Sequence, residues 1–564
     1  MDTINSFKGY GKVDQVEQAA FRRKTRNRIL ILTASLLILA ILIVVGAVVG
    51  VSLHKNKKNK APSVPASLKA ICNLTQYPDS CFNTLHSSNS SDPKLIFKFS
   101  LSVAMAALHD VSTHFPDNYI NKTDSPLIQE ALRICGTVLS DAAESLTDCI
   151  SAIDDGDKLQ VSDLRTWLST VITDQETCFD ALDEVNADFV DEIKLLMNNS
   201  TELASNSLAI VSKVLGFLDK FKIPIHRRLL EATEPAGFPS WISAGDRRLL
   251  QASNPRPDVT VAKDGSGTVR TLKEAVAKIP KKSKTRFVIY VKAGTYVENV
   301  VLDKSHWNVM IYGDGSTRTI VSGSKNFVDG TPTFSTATFA AVGKGFIARD
   351  IGFKNTAGAA KHQAVAFRSG SDQSVFFRCS FDAFQDTLYA HSNRQFYRDC
   401  NIAGTIDFIF GNAAVVFQKC VISPRQPLPN QFVTITAQGK KDPNQNTGIS
   451  IQRCTMSPLD RLTAPTYLGR PWKDFSTTVI MQTEIGGFLD PGGWISWVKN
   501  VDPPRSIFYA EYQNTGPGSS IGNRVKWQGY KPSLTAAQAS KYNVQTFIQG
   551  PSWLPAQMVT FDST

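Results

Sequence analysis

The feature that most constrains this chain is a short pattern that returns with its cysteine in the same place. It reads F-F-R-C-S-F from Phe376, F-Y-R-D-C-N-I from Phe396, V-F-Q-K-C-V-I from Val416 and S-I-Q-R-C-T-M from Ser450, with a related F-I-A-R-D-I-G-F from Phe346. Successive copies begin 30, 20, 20 and 34 residues apart, too irregular for a propeller but suited to the coils of a right-handed parallel β-helix with loops of varying length. Equivalent positions then stack about 4.8 Å apart. Cys379, Cys400, Cys420 and Cys454 are therefore expected to form an interior ladder. A disulfide between Cys400 and Cys420 is sterically feasible, and free thiols that simply fill space fit the pattern equally well.

This texture of short Val-, Ile-, Phe- and Thr-rich runs broken by Gly and Asn holds from residue 251 to 564. Between residues 66 and 220 the period is helical instead, as in Leu95, Ile96, Phe99, Val103, Met105 and Leu108. Cys72 and Cys81 are nine residues apart, a spacing that suits a bridge across a short helical hairpin, while Cys135 and Cys178 suit a tie between longer helices. Cys149 is then the odd thiol. None of the nine cysteines forms a C-x-x-C pair of the kind zinc or thioredoxin chemistry uses.

Charge divides along the same boundary. Residues 61–250 carry 15 Lys and Arg against 26 Asp and Glu, and residues 251–564 carry 35 against 21. Net charges of −11 and +14 fit two halves that dock on each other, and the basic half would also attract a polyanion. Charge by itself does not choose among nucleic acid, anionic lipid and acidic polysaccharide.

Residues 29–53 hold no charge and are rich in Leu, Ile and Val, long enough to cross a bilayer as one helix and too long for the core of a cleaved signal peptide. The expected arrangement is a signal-anchor with residues 1–28 in the cytosol and the rest in the secretory lumen. Sequons at Asn73, Asn89, Asn121, Asn198 and Asn199 agree with a lumenal helical region. The linker 221–250 carries R-R-L-L twice, at Arg227–Arg228 and at Arg247–Arg248, among prolines, which makes it a candidate processing site.

For chemistry, the basic half offers neither a G-x-S-x-G elbow nor H-E-x-x-H, and its three histidines, His306, His362 and His391, are not placed as ligands. What stands out on otherwise apolar coils is a polar set: G-T-Y-V-E from Gly294, Q-A-V-A-F-R from Gln363, Q-D-T-L from Gln385, G-T-I-D-F-I-F-G from Gly404 and L-G-R-P-W from Leu468. Asp386 and Asp407 are 21 residues apart, about one coil, so stacking places their carboxylates side by side. Adjacent carboxylates do not ionise together readily, and a cation such as Arg470 would hold one charged while the other stays protonated. One acid and one nucleophile is what such a pair can supply.

These five segments, in this order, resemble the pectin methylesterase family over essentially all of 251–564. The resemblance implies a metal-free and cofactor-free hydrolase of methyl esters on polygalacturonate. By motif, Asp407 is similar to the family's nucleophile, Asp386 to its proton donor and base, and Gln385 and Gln363 to its oxyanion donors. Arg470 is similar to the partner of the nucleophile, and Trp472 to a sugar-stacking residue. Thr333, Tyr389, Phe410 and Trp494 are weaker candidates for the same cleft. One departure is Phe367-Arg368, where the family's second motif usually ends Leu-Arg.

Cys72, Cys81, Cys135 and Cys178 in their helical setting resemble the family's inhibitor domain, a four-helix bundle carried as a pro-region. The implied partners are methylesterified homogalacturonan, the attached pro-domain, a processing protease and the membrane through 29–53, with no nucleic acid. The implied destination of the mature enzyme is the plant cell wall. Two other readings compete: a pectate lyase or polygalacturonase on the same coil, and a non-catalytic wall-binding module. No acidic cluster of the calcium-binding kind supports the lyase, and an intact set of Gln363, Gln385, Asp386, Asp407 and Arg470 opposes a dead enzyme.

Overall fold

The computed structural model describes residues 64–155, 160–216, 255–557 and 559–562. The predicted cytosolic tail (1–28), membrane segment (29–53) and linker (221–250), with Arg227, Arg228, Arg247 and Arg248, lie outside the described residues. From Ile71 onward the described residues form one compact unit.

Four long helices make up the N-terminal region: α1 (Pro93–Ile120), α2 (Pro126–Asp155), α3 (Val161–Glu184) and α4 (Val190–Ala209). The first starts where Pro93 has no N–H to lose and the Asp92 carboxylate accepts from the Lys94 amide at 2.9 Å. It is long and apolar enough to cross a membrane, yet Ile96, Phe97, Leu101, Ala104 and Leu108 along it are buried in the protein. Disulfides join Cys72 to Cys81 and Cys135 to Cys178. The second ties α2 to α3, and Cys149 is a free, buried thiol. Asn73, Asn89, Asn121, Asn198 and Asn199 are all exposed.

Among the described residues of the C-terminal region every strand pairing is parallel, in sheets of eleven, seven and eight strands, with successive coils adding one strand to each. This is a parallel β-helix. The repeat explains its interior. Phe376, Tyr397 and Phe417 occupy one register across neighbouring strands and stack ring on ring, 4.3 and 4.6 Å between centroids. Three residues after each ring come Cys379, Cys400 and Cys420, all buried, with Cys454 next in the ladder.

The polar residue before each cysteine also has a reason. Arg378, Asp399, Lys419 and Arg453 have φ between 51° and 54°, as does Asp350 before Ile351 in the related copy. Each coil therefore turns a corner through one left-handed residue, uncommon outside glycine, which frees its polar side chain from the core and sends the next residue inward. The feasible Cys400–Cys420 bridge is not formed, and both are free thiols. Each sulfur instead lies near backbone carbonyl oxygens, Cys400 at 3.4 Å from Phe376 and Cys420 at 3.6 Å from Tyr397. In-register parallel neighbours present their side chains in the same direction, so these cysteines serve as interior filler.

Candidate functional site

The seven-stranded sheet carries the candidate site. Its strands run in chain order as β1 (Val300–Leu302), β2 (Phe339–Ala341), β3 (Phe367–Ser369), β4 (Leu388–Ala390), β5 (Ile409–Gly411), β6 (Val433–Gln438) and β7 (Thr466–Pro471). Leu388 pairs with Ile409, which sets Asp386 and Asp407, two residues upstream of each, in the same register. The Asp386 amide donates to the Ile406 carbonyl at 3.0 Å. One coil away on the other side, Gln363 bridges Gln385. Both aspartates have left-handed φ, 62° at Asp386 and 50° at Asp407. A conformation costing on the order of 1–2 kcal/mol is thus held twice by the surrounding ladder.

Arg470 arrives from two coils further on, where β5 Phe410 pairs with Ala437 and Ala437 with Arg470. Its guanidinium grips Asp407 with two of its three nitrogens, Nε to Oδ1 at 2.9 Å and Nη2 to Oδ2 at 2.7 Å. Gly469 before it admits no side chain, because a Cβ would fall 2.0 Å from Thr436 Oγ1. The Thr434 hydroxyl adds a 2.6 Å bond to Asp407 Oδ1 and accepts the Asp407 amide at 2.9 Å. Sequence reasoning missed Thr434; its signal is the alternating V-T-I-T-A-Q of β6, which turns threonines to one face.

The electrostatics of the two carboxyl groups differ. Burial, then repulsion from Asp407 and Glu184, pushes the Asp386 carboxyl well above the usual carboxylate range, against the pull of Arg470. Burial lowers the Arg470 guanidinium, but the charge and hydrogen bonds of Asp407, with the charge of Asp386, together outweigh it and hold the group above its ordinary value. The site thus sets an ion-paired aspartate beside an aspartic acid whose surroundings favour its protonated form. His391 takes no part: burial drives it well below its ordinary value, and Nε2 meets the Thr177 hydroxyl at 2.8 Å. Among the described residues no group of three or more His, Cys, Asp or Glu side chains is arranged to hold a metal ion.

A cavity of about 430 Å³ encloses the site, with Thr333, Gln363, Gln385, Tyr389, Phe410, Arg470 and Trp472 in its walls beside both aspartates. Tyr389 and Phe410 stack at 4.2 Å. Trp494 is elsewhere: it is 1% exposed, packs on Tyr509 and sends Nε1 toward Glu511. The residue in its expected place is Trp497, which is 40% exposed, stacks on Trp472 and lies 4.2 Å from the Arg470 guanidinium. Phe367 of the departing motif sits in the core between Phe339 and Phe353, and Arg368 covers the Phe334 ring of the cavity at 3.5 Å.

The remaining wall is helical. Thr177, Asp180, Ala181, Asp183 and Glu184 of α3 line the cavity, a set that sequence reasoning did not single out. Asp180 pairs with Lys473, and Glu184 reaches Thr333 and Gln363. Nearer the other end of the contact, Asp163 pairs with Arg394 at 2.7 Å and Glu144 of α2 with Lys282 at 2.8 Å. The opposite charges of the two regions therefore meet in defined pairs.

Paired carboxyl groups in a walled cleft on a parallel β coil are the equipment of a carboxylic ester hydrolase. Residues 258–551 match the family model described as Pectinesterase, and residues 66–210 match Plant invertase/pectin methylesterase inhibitor. The chain is 58% identical to Pectinesterase 3 of Phaseolus vulgaris and 57% identical to Pectinesterase 1 of Arabidopsis thaliana, over 100% and 99% of each chain respectively. Among solved structures, pectin methylesterase from carrot is 52% identical, with a TM-score of 0.53, and aligns with 55% of this chain and 99% of its own. The chain belongs to the pectinesterase family.

Proposed function

We propose that residues 251–564 remove methyl groups from methylesterified polygalacturonate through a covalent intermediate on Asp407. The observation that carries this reading is the two-nitrogen grip of Arg470 on Asp407, beside an Asp386 carboxyl that burial and the neighbouring carboxylates push toward its protonated form. An Asp407 oxygen attacks the ester carbonyl carbon, and the side-chain amides of Gln385 and Gln363 donate to the developing oxyanion. The carbon–methoxy bond then breaks, and methoxide leaves as methanol with the proton of Asp386. Asp386, now a base, takes a proton from water, whose oxygen attacks the acyl carbon; the bond from that carbon to the Asp407 oxygen breaks, the Asp407 carboxylate and the protonated Asp386 are regenerated, and the sugar departs as its carboxylic acid. Trp472, Tyr389 and Phe410 offer faces to the sugar rings.

The helical domain (66–220) serves in this reading as a pro-domain that blocks or chaperones the cleft until the linker (221–250) is cut at one of its two R-R-L-L sites. Residues 29–53 would carry the chain into the secretory pathway, with glycans on the pro-domain and the mature enzyme released to the cell wall. The test is methanol release from methylated pectin by the catalytic domain and by its Asp407→Ala variant. Undiminished release by the variant removes Asp407 as nucleophile, whereas unsaturated or reducing chain ends without methanol would replace the esterase by a chain-cutting enzyme.

A further inference from the structure

Glu184 is the last residue of α3, a position that works against it in three ways. A carboxylate in the last turn opposes the helix dipole. Burial pushes its carboxyl above the usual range, and no ion pair to Glu184 is formed among the described residues. The helix gains nothing from this side chain, so whatever compensates it must come from the other domain.

The compensation is a set of uncharged donors in the catalytic cleft. Glu184 Oε2 accepts the Thr333 amide at 3.0 Å, Oε1 accepts the Thr333 hydroxyl, and the Gln363 side-chain amide lies 3.5 Å from Oε1. Thr333 and Gln363 line the same cavity as Asp386 and Asp407. A planar carboxyl with both oxygens held by neutral donors, next to the reacting carboxylates, has the shape and chemistry of the C6 carboxyl of a galacturonate unit. We infer that Glu184 is the pro-domain's surrogate for a substrate carboxyl, occupying a sugar-carboxyl subsite formed by Thr333 and Gln363, so that the attached pro-domain competes with the polymer inside the cleft.

This inference rests on the esterase reading and adds the residue and the place of the block. It also gives the rest of the contact a different task. Asp163, at the far end of α3 and about 30 Å away by helical rise, fastens the domain to Arg394 without entering the cleft. Its loss should loosen docking without emptying the subsite. Because Glu184 is absent from the catalytic domain, its substitution leaves the enzyme's own machinery untouched.

The experiment compares methanol release from methylated pectin by four proteins: the uncleaved chain, its Glu184→Ala and Asp163→Asn variants, and the catalytic domain alone. That domain has its own core from Val259 to Tyr530, and the carrot enzyme's whole chain corresponds to this region. The expected result is a raised apparent KM in the uncleaved chain. Glu184→Ala should lower it at least tenfold with kcat little changed, and Asp163→Asn should shift it no more than about twofold. No response to Glu184→Ala, or an equal response to Asp163→Asn, overturns the surrogate while leaving the esterase intact. A catalytic domain that releases no methanol sinks the esterase reading and the surrogate with it.

Discussion

The two halves of the molecule hold their shape by opposite means. In the helical half one disulfide closes a nine-residue hairpin between Cys72 and Cys81 and another staples Cys135 to Cys178 across 43 residues. In the coiled half four cysteines lie on adjacent rungs with no bridge at all, because each rung is already fixed by ladder bonds above and below. The site follows the same division. Asp386, Asp407 and the glutamines are aligned by coil register, while Glu184 and Asp180 reach the cleft only because one helix face has docked. A coil builds a site into its backbone, and a bundle contributes to it through a surface.

If that contrast is right, damage to the coil's aligned pair must abolish chemistry without unfolding. Asp407→Ala in the catalytic domain is expected to lower kcat for methanol release by roughly 10³-fold or more, as loss of a nucleophile does. The melting transition should remain cooperative. The change leaves Arg470 without its partner, so some stability is lost as well; a change in stability with kcat intact would instead make Asp407 a structural residue.

The bundle should fail the other way, through stability. Replacing Cys135 and Cys178 by serine opens a 43-residue loop in the unfolded chain, for which loop-closure entropy gives about 4 kcal/mol. The uncleaved double variant should therefore lose the helical transition at lower denaturant while the β transition stays. Coincident loss of both would show that the halves fold as one unit.

Thr434 probes the support of the aligned pair. Thr434→Val keeps the shape and removes the 2.6 Å bond to Asp407. A hydrogen bond to a charged group contributes about 1.5–3 kcal/mol, so kcat should fall roughly 10- to 100-fold, less than for Asp407→Ala. An unchanged kcat would mean that Arg470 alone orients the nucleophile.

How much of this could be read from the chain depends on the same contrast. A coil converts spacing into proximity, so the 21 residues between Asp386 and Asp407 sufficed to bring them together. Arg470 is 63 residues from Asp407, and only the motif L-G-R-P-W marked it. Trp494 and Trp497 separate for a local reason: Trp494 is held by a bridge to Gly469 and faces the core, and only where the chain bends at Trp497 does a ring reach the cleft. Thr434 carried no motif. On the helices, a net −11 announced a partner surface, but it did not say which carboxylates enter the cleft, since that is decided by docking and not by period.

The last and smallest effect is on docking itself. Burial pushes the Asp180 carboxyl up to about 6 although Lys473 pairs with it. In the separated pro-domain, with the side chain back in water, the value returns toward about 3.9. The docked form therefore binds the extra proton, and docking is favoured below pH 4 and weakens as pH rises from about 4 to 6. Because the Asp180 side chain remains 22% exposed, solvent screening trims the effect to about tenfold in affinity over that interval. Titrating the catalytic domain with separately prepared pro-domain at pH 4.5 and 6.5 measures it. Asp180→Asn, which cannot ionise, should flatten the dependence, and an unchanged slope in that variant would assign it to Glu184 or Asp163, whose carboxyl groups burial also raises.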